Sequence, residues 1–153
     1  MLIVDDQVVQ IAALSMFLKK KNISSDCALG GEAAIKMIKK RMRIMNETIN
    51  KSVCSISAAA ASTEFPYKLV FMDYSMPQMD GIETPKKIYE LISKKKGRDI
   101  SLDENSRPCI CFLSAYSDTP YIELARKIGI KHYLFKPVAN EDLTKMLEDV
   151  GLL

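Results

Sequence analysis

Asp5, Asp6, Asp73 and Lys136 each lie at the end of a short apolar run: Leu2-Ile3-Val4, Leu69-Val70-Phe71-Met72 or Tyr133-Leu134-Phe135. Runs of this kind read as buried parallel strands, and parallel strands can deliver their last residues to one shared edge. Three carboxylates and one ammonium then meet in one pocket. Carboxylates so crowded repel, so they share protons or hold a cation, and a hard, oxygen-seeking ion such as Mg2+ is the usual solution. Alone, Asp5-Asp6 would read as a helix cap with an acidic first turn, and Lys136 as a surface lysine. Together the four residues point to a site.

The elements that must position them alternate between strand and helix, which predicts a parallel sheet covered on both faces. Met1 to Val4 is the first strand. Gln7 to Lys20 follows as a helix with Val8, Ile11, Ala12, Leu14 and Leu18 on its apolar side. Ser24 to Leu29 is a second strand, and Gly30-Gly31 turns into a helix reaching about Asn50, with Ile35, Ile38, Met42, Met45 and Ile49 three and four apart. An insertion at about 43–65, rich in Ser and Ala towards its end, is either loop or helical extension. Leu69 to Asp73 is the third strand. Met76-Pro77 and Asp80-Gly81 form a loop before a helix from Ile82 to Lys96, in which Pro85 falls in the tolerant first turn. A lengthened polar loop, about 97–107, precedes a fourth strand from Cys109 to Leu113, ending in Ser114-Ala115. A helix begins with Thr119 as cap and Pro120 at its first position, Lys131 to Phe135 is the fifth strand, and Asn140 caps the last helix.

At 153 residues the chain suits one domain, and a formal charge of +3 demands neither nucleic acid nor an acidic membrane. Its apolar runs are too short to span a bilayer, and Asp5-Asp6 interrupts any secretory pattern, so a cytoplasmic protein without membrane contact of its own is expected. Cys27, Cys54, Cys109 and Cys111 form no paired CxxC motif and read as small buried hydrophobes in a reducing compartment.

Acids after the first and third strands, a hydroxyl after the fourth and Lys-Pro after the fifth resemble a response-regulator receiver domain. The segments that carry the resemblance are IVDD (Ile3 to Asp6), VFMDYSMPQMDGIE (Val70 to Glu83), FLSAY (Phe112 to Tyr116) and YLFKP (Tyr133 to Pro137). The MDxxMPxMDGxE form is most like receivers of hybrid sensor histidine kinases. The resemblance implies a flavodoxin-like sheet of order 2-1-3-4-5 with ligands outside the carboxyl ends of the strands, an order for which receivers are themselves an example.

It also implies roles. Asp73 is then the phosphoacceptor, attacking a phosphoryl group carried on a partner histidine. Asp6, Asp73 and the Ser75 backbone carbonyl hold Mg2+ or Mn2+, and Asp5 ligates it directly or through water. Lys136 and Ser114 contact the phosphoryl oxygens, Ala115 leaves one accessible, and Pro137 fixes the loop through a cis Lys-Pro bond. Ser114 and Tyr133 form a switch that remodels the face made by the fourth helix, fifth strand and fifth helix. The implied partner is a histidine kinase or histidine phosphotransfer protein, with an output or kinase domain in a longer parent. No kinase catalytic motif or nucleic-acid-binding helix pair is present, so this is a signalling phosphoacceptor that catalyses only its own phosphorylation and dephosphorylation.

Two other readings compete. A receiver fold used as a phosphorylation-independent interaction module would keep the pocket unused. An Mg2+-dependent phosphohydrolase would need a general acid two residues after Asp73, where Ser75 stands.

Overall fold

Period-two alternation along each strand decides which side chains meet which helix layer. A computed structural model of the chain describes residues 1–52, 65–96, 108–115 and 119–153. The elements are β1 (Leu2–Asp5), α1 (Val8–Lys20), β2 (Asp26–Leu29), α2 (Gly31–Ser52), β3 (Leu69–Asp73), α3 (Glu83–Lys96), β4 (Cys109–Ser114), α4 (Thr119–Lys127), β5 (His132–Phe135) and α5 (Asn140–Asp149). The strands pair in parallel in the order β2-β1-β3-β4-β5. This is the flavodoxin-like arrangement expected from the sequence, with helices on both faces.

Ile3, Leu69, Phe71, Cys111 and Leu113 face one layer, made by Ile11, Leu14 and Leu18 of α1 and Leu143, Met146 and Leu147 of α5. Their neighbours Leu2, Val4, Val70, Met72, Ile110 and Phe112 face the other, made by α2, α3 and α4 through Ile35, Ile38, Ile88, Ile92 and Ala125. Phe71 and Phe112, one on each side, are among the largest fully buried side chains. Burying a side chain of that size contributes about 1.5–3 kcal/mol, so the sheet's rigidity rests on both layers. By the same alternation Asp5 and Asp73 emerge on the α1/α5 side, whereas Ser114 emerges on the α4 side.

An anchor outside the sheet fixes the entry to β3. Asp26 Oδ2 accepts hydrogen bonds from Arg41 Nε at 2.8 Å and from the Tyr67 hydroxyl at 2.7 Å, and the Arg41 guanidinium lies 5.4 Å from the Tyr67 ring centroid. Burial, then the bond to Asp26, pushes the Tyr67 hydroxyl well above its ordinary pKa. The clasp joins β2, α2 and the segment leading into β3.

Several local expectations need correction. Val8 is 65% exposed and Ala12 is also exposed, so the buried side of α1 is Ile11, Leu14 and Leu18 alone. Val8, Ala12 and Met16 recur every fourth residue on a different face, which packs against neither layer. Asn140 is the first helical residue of α5 rather than its cap; Ala139 occupies that position without a side-chain bond. The Asn140 carbonyl instead accepts the Thr144 hydroxyl at 2.8 Å. Thr119 likewise stands inside α4. Cys27 is exposed on β2, an edge strand where alternate side chains point to solvent, while Cys111 is buried as expected. α2 continues to Ser52, two residues beyond the expected end. The rest of the insertion, the 97–107 loop, Cys54 and Tyr116 lie outside the described residues. Among the described residues no helix is long and apolar enough to cross a membrane.

Candidate functional site at the carboxyl edge of the sheet

Asp5 ends β1 with its side chain wholly buried, and Asp6 beside it is exposed. Asp5 Oδ1 accepts the Gln7 N–H at 2.8 Å, so this acid both turns the chain into α1 and serves the pocket. Its Oδ2 accepts from Lys136 Nζ at 2.9 Å, and the same ammonium lies 2.9 Å from Asp73 Oδ1. Asp73, at the end of β3, is 4% exposed. Carboxylate oxygens of Asp5, Asp6 and Asp73 all lie within 4.8 Å of one another. Three acids against one ammonium leave an excess of negative charge in a mostly buried corner, and the donor set is all oxygen. That is the chemistry a hard divalent cation satisfies.

The electrostatics follow from this crowding. Burial raises the Asp73 pKa above the ordinary carboxylate value, with Asp5 adding to the effect; the Lys136 ammonium and the Ser75 N–H only partly offset it. For Lys136, burial pulls the value down, but the bonds to Asp73 and Asp5 outweigh it and hold the ammonium protonated beyond the usual lysine range.

The loop after β3 is braced by its own backbone. The Met79 N–H reaches the Pro77 carbonyl at 2.8 Å across Gln78, whose φ of 69° closes a γ-turn. The Gly81 N–H bonds to the Tyr74 carbonyl at 2.9 Å. A Cβ at position 81 would lie 2.6 Å from Tyr74 Cα, so only glycine permits this approach. Asp80 Oδ1 accepts the N–H groups of Ile82 and Glu83 at 2.8 and 2.7 Å, capping α3. The sequence carried this signal as Asp80-Gly81-Ile82-Glu83, a capping-box spacing read only as a turn. Ser75 lies within this braced loop, two residues after Asp73.

Ser114 and Tyr133 meet in a neighbouring pocket on the α4 side. Ser114 is 8% exposed, and its backbone carbonyl accepts the Lys136 N–H at 2.8 Å, tying the two pockets together. The Tyr133 hydroxyl donates to the Ile130 carbonyl at 2.7 Å, and its ring stands edge-on to Phe112 with centroids 6.3 Å apart. Tyr74 and Tyr121, which the sequence did not single out, line the same space. Ala115 and Pro137 are exposed at the rim, and the Lys136-Pro137 peptide is cis.

A doubly wound parallel sheet with an acid pocket at the carboxyl edge of its first and third strands is a flavodoxin-like receiver architecture. The family model of the response regulator receiver domain matches residues 43–148, and the chain belongs to that family. Such a domain catalyses its own phosphorylation and dephosphorylation, within histidine-to-aspartate signalling, and no separate reaction.

The chain is 31% identical over 99 residues to the transcriptional regulatory protein YhcZ of Bacillus subtilis, covering 65% of this chain and 40% of that one. It is 25% identical over 142 residues to hybrid signal transduction histidine kinase B of Dictyostelium discoideum, covering 93% of this chain and 6% of the kinase. It thus spans less than half the length of these curated relatives. Among solved structures it is similar to the receiver domain of Saccharomyces cerevisiae Ssk1, crystallised with the phosphotransfer protein Ypd1. The identity is 28% and the TM-score 0.68, with 98% of this chain and 86% of that one covered. It shares its fold with the CKI1 receiver of Arabidopsis thaliana in complex with Mg2+ and BeF3−, at 20% identity and TM-score 0.71, covering 98% and 87% of the two chains.

Proposed function

We propose that Asp73 is the phosphoryl acceptor and that Asp5, Asp6, Lys136 and Ser114 serve the transfer. One observation carries the reading: Lys136 Nζ is 2.9 Å from both Asp5 and Asp73 while three carboxylates converge within 4.8 Å. A carboxylate oxygen of Asp73 attacks phosphorus in line; the O–P bond forms as the N–P bond to the donor's histidine breaks, and the imidazole leaves with the bonding pair. Placement and neutralisation of phosphoryl charge are most of what such a transfer needs. Lys136 supplies a cation on one side, and the Ser114 hydroxyl supplies a donor to a phosphoryl oxygen. Asp6, Asp73 and the Ser75 carbonyl would hold Mg2+ or Mn2+, with Asp5 ligating directly or through water. When bound, the ion supplies further neutralisation of the phosphoryl oxygens.

The donor is a histidine kinase or a histidine phosphotransfer protein, a class supported by the Ssk1 and hybrid-kinase relatives. Any donor that delivers a phosphoryl group in line must cover the pocket mouth. Val8 and Val9, 65% and 77% exposed, follow Asp6 and Gln7 there and offer it apolar surface. After transfer, Ser114 and Tyr133 would rearrange and alter the face made by α4, β5 and α5.

The test is intact mass after incubation with Mg2+ and acetyl phosphate. One phosphate adduct on the wild type, labile to hydroxylamine and missing from Asp73→Asn, is expected. An adduct retained by Asp73→Asn would move the acceptor elsewhere.

A further inference from the structure

Four aromatic rings form a chain around Ser114. Tyr133 stands edge-on to Phe112 at 6.3 Å, Phe112 edge-on to Tyr74 at 5.7 Å, and Tyr74 edge-on to Tyr121 of α4 at 5.4 Å. Tyr74 is the residue after Asp73, and its backbone is pinned on both sides. Its N–H bonds to the Leu113 carbonyl and its carbonyl accepts from Gly81, both at 2.9 Å. The ring therefore cannot follow α4 if α4 moves.

Tyr74, Tyr121, Tyr133 and Ser114 line one space of about 10 Å3, too small to hold even one water comfortably. Any rearrangement of Ser114 or Tyr133 must then displace another member of the lining. Tyr74 is anchored and Phe112 is fully buried in a central strand. Tyr121, 41% exposed at the start of α4, is the member with room to yield.

We propose that the Tyr74–Tyr121 contact is a latch that holds α4 in the arrangement where Lys136 is paired with Asp5 and Asp73. The latch must break for phosphoryl binding at Asp73 to be read out through Ser114 and Tyr133. This rests on the proposed phosphoacceptor function and adds to it a restraint that opposes the switch. Removing the contact destabilises only the latched arrangement, so phosphoryl-like ligands bind Asp73 more tightly.

The test is an amide-resolved NMR titration of the whole chain with beryllofluoride in saturating Mg2+. Shifts near Lys136 and Ser114 report occupancy, and shifts of Ile122 to Ala125 report α4. Tyr121→Leu and Tyr74→Leu should each tighten apparent beryllofluoride binding by roughly three- to tenfold, the range an edge-to-face pair supports. The double variant should be no tighter than either single one, because one contact is lost in all three. Tyr121→Phe keeps the ring and should bind as wild type does. Tyr121 is partly exposed, so its replacement should leave the melting temperature near that of the wild type; Tyr74→Leu serves as the second variant.

Unchanged or weaker binding in Tyr121→Leu, additive effects in the double variant, or a Tyr121→Phe that binds as tightly as Tyr121→Leu would each overturn the latch. Those results leave the phosphoacceptor reading standing. No beryllofluoride shift at Lys136 in the wild type would overturn that reading and the latch with it.

Discussion

Lys136 and Asp5 stand 131 positions apart in the chain, yet Nζ and Oδ2 lie 2.9 Å apart. Asp5 is wholly buried, so Lys136 and the Gln7 N–H are what compensate its charge. The raised pKa of Lys136 gives the sign of the pH effect. The pair's contribution is complete below the ordinary lysine value of 10.5 and is lost as pH rises through the higher folded value. Thermal melts should therefore show a fall in Tm above that pH in the wild type beyond the fall shown by Lys136→Met. Parallel alkaline profiles for the two proteins would count against the pairing.

Bound Mg2+ should relieve the repulsion among Asp5, Asp6 and Asp73. At about a hundred times its Kd, the ion stabilises the folded chain by about 2.7 kcal/mol. Melts with Mg2+ and with a chelator should differ accordingly in the wild type, and Asp6→Ala or Asp73→Asn should lose most of the difference. In metal-free buffer, Asp73→Asn should melt above the wild type, because burial disfavours the charged form of Asp73.

Gly81→Ala places a Cβ 2.6 Å from the Tyr74 backbone, which no side-chain rotation can relieve. A cost of about 1–3 kcal/mol is expected from overpacking. Because the same loop carries Ser75, Mg2+ affinity should fall as well. Denaturant melts and a Mg2+ titration check both; a variant with unchanged stability would mean the loop yields freely.

Val9→Asp changes exposed surface beside the pocket without touching the acids. Phosphotransfer from a phosphorylated histidine phosphotransfer protein should slow by about tenfold or more, the effect of losing a modest interface contact. Labelling by acetyl phosphate should be unchanged. Equal slowing of both reactions would place the damage in the pocket rather than in docking.

Cysteine reactivity should divide by environment. Burial pushes the Cys109 and Cys111 thiols above their ordinary range, and Cys27 is exposed. Peptide mapping after brief alkylation of the native protein at neutral pH should find Cys27 modified well before Cys109 or Cys111.

Strand positions, parallel pairing and convergence of Asp5, Asp6, Asp73 and Lys136 were legible in the sequence. The signals are local: an apolar run four or five residues long ends in a charged residue, and parallel strands share one carboxyl edge. The family resemblance supplied the strand order and set Ser114 and Tyr133 beside that edge. The face of α1 left uncovered was not legible, because Val8 and Ala12 are as apolar as Ile11 and Leu14 and only the position of the sheet distinguishes them. Nor was the clasp of Arg41 and Tyr67 on Asp26, whose partners are distant in the chain. Tyr74 and Tyr121 carry no motif; their contact exists because α4 lies against the end of β3. Composition and spacing determined which chemical groups this chain brings to one edge. Packing between layers decided which are buried and paired and which aromatic rings touch, because those properties depend on neighbours that local sequence does not specify.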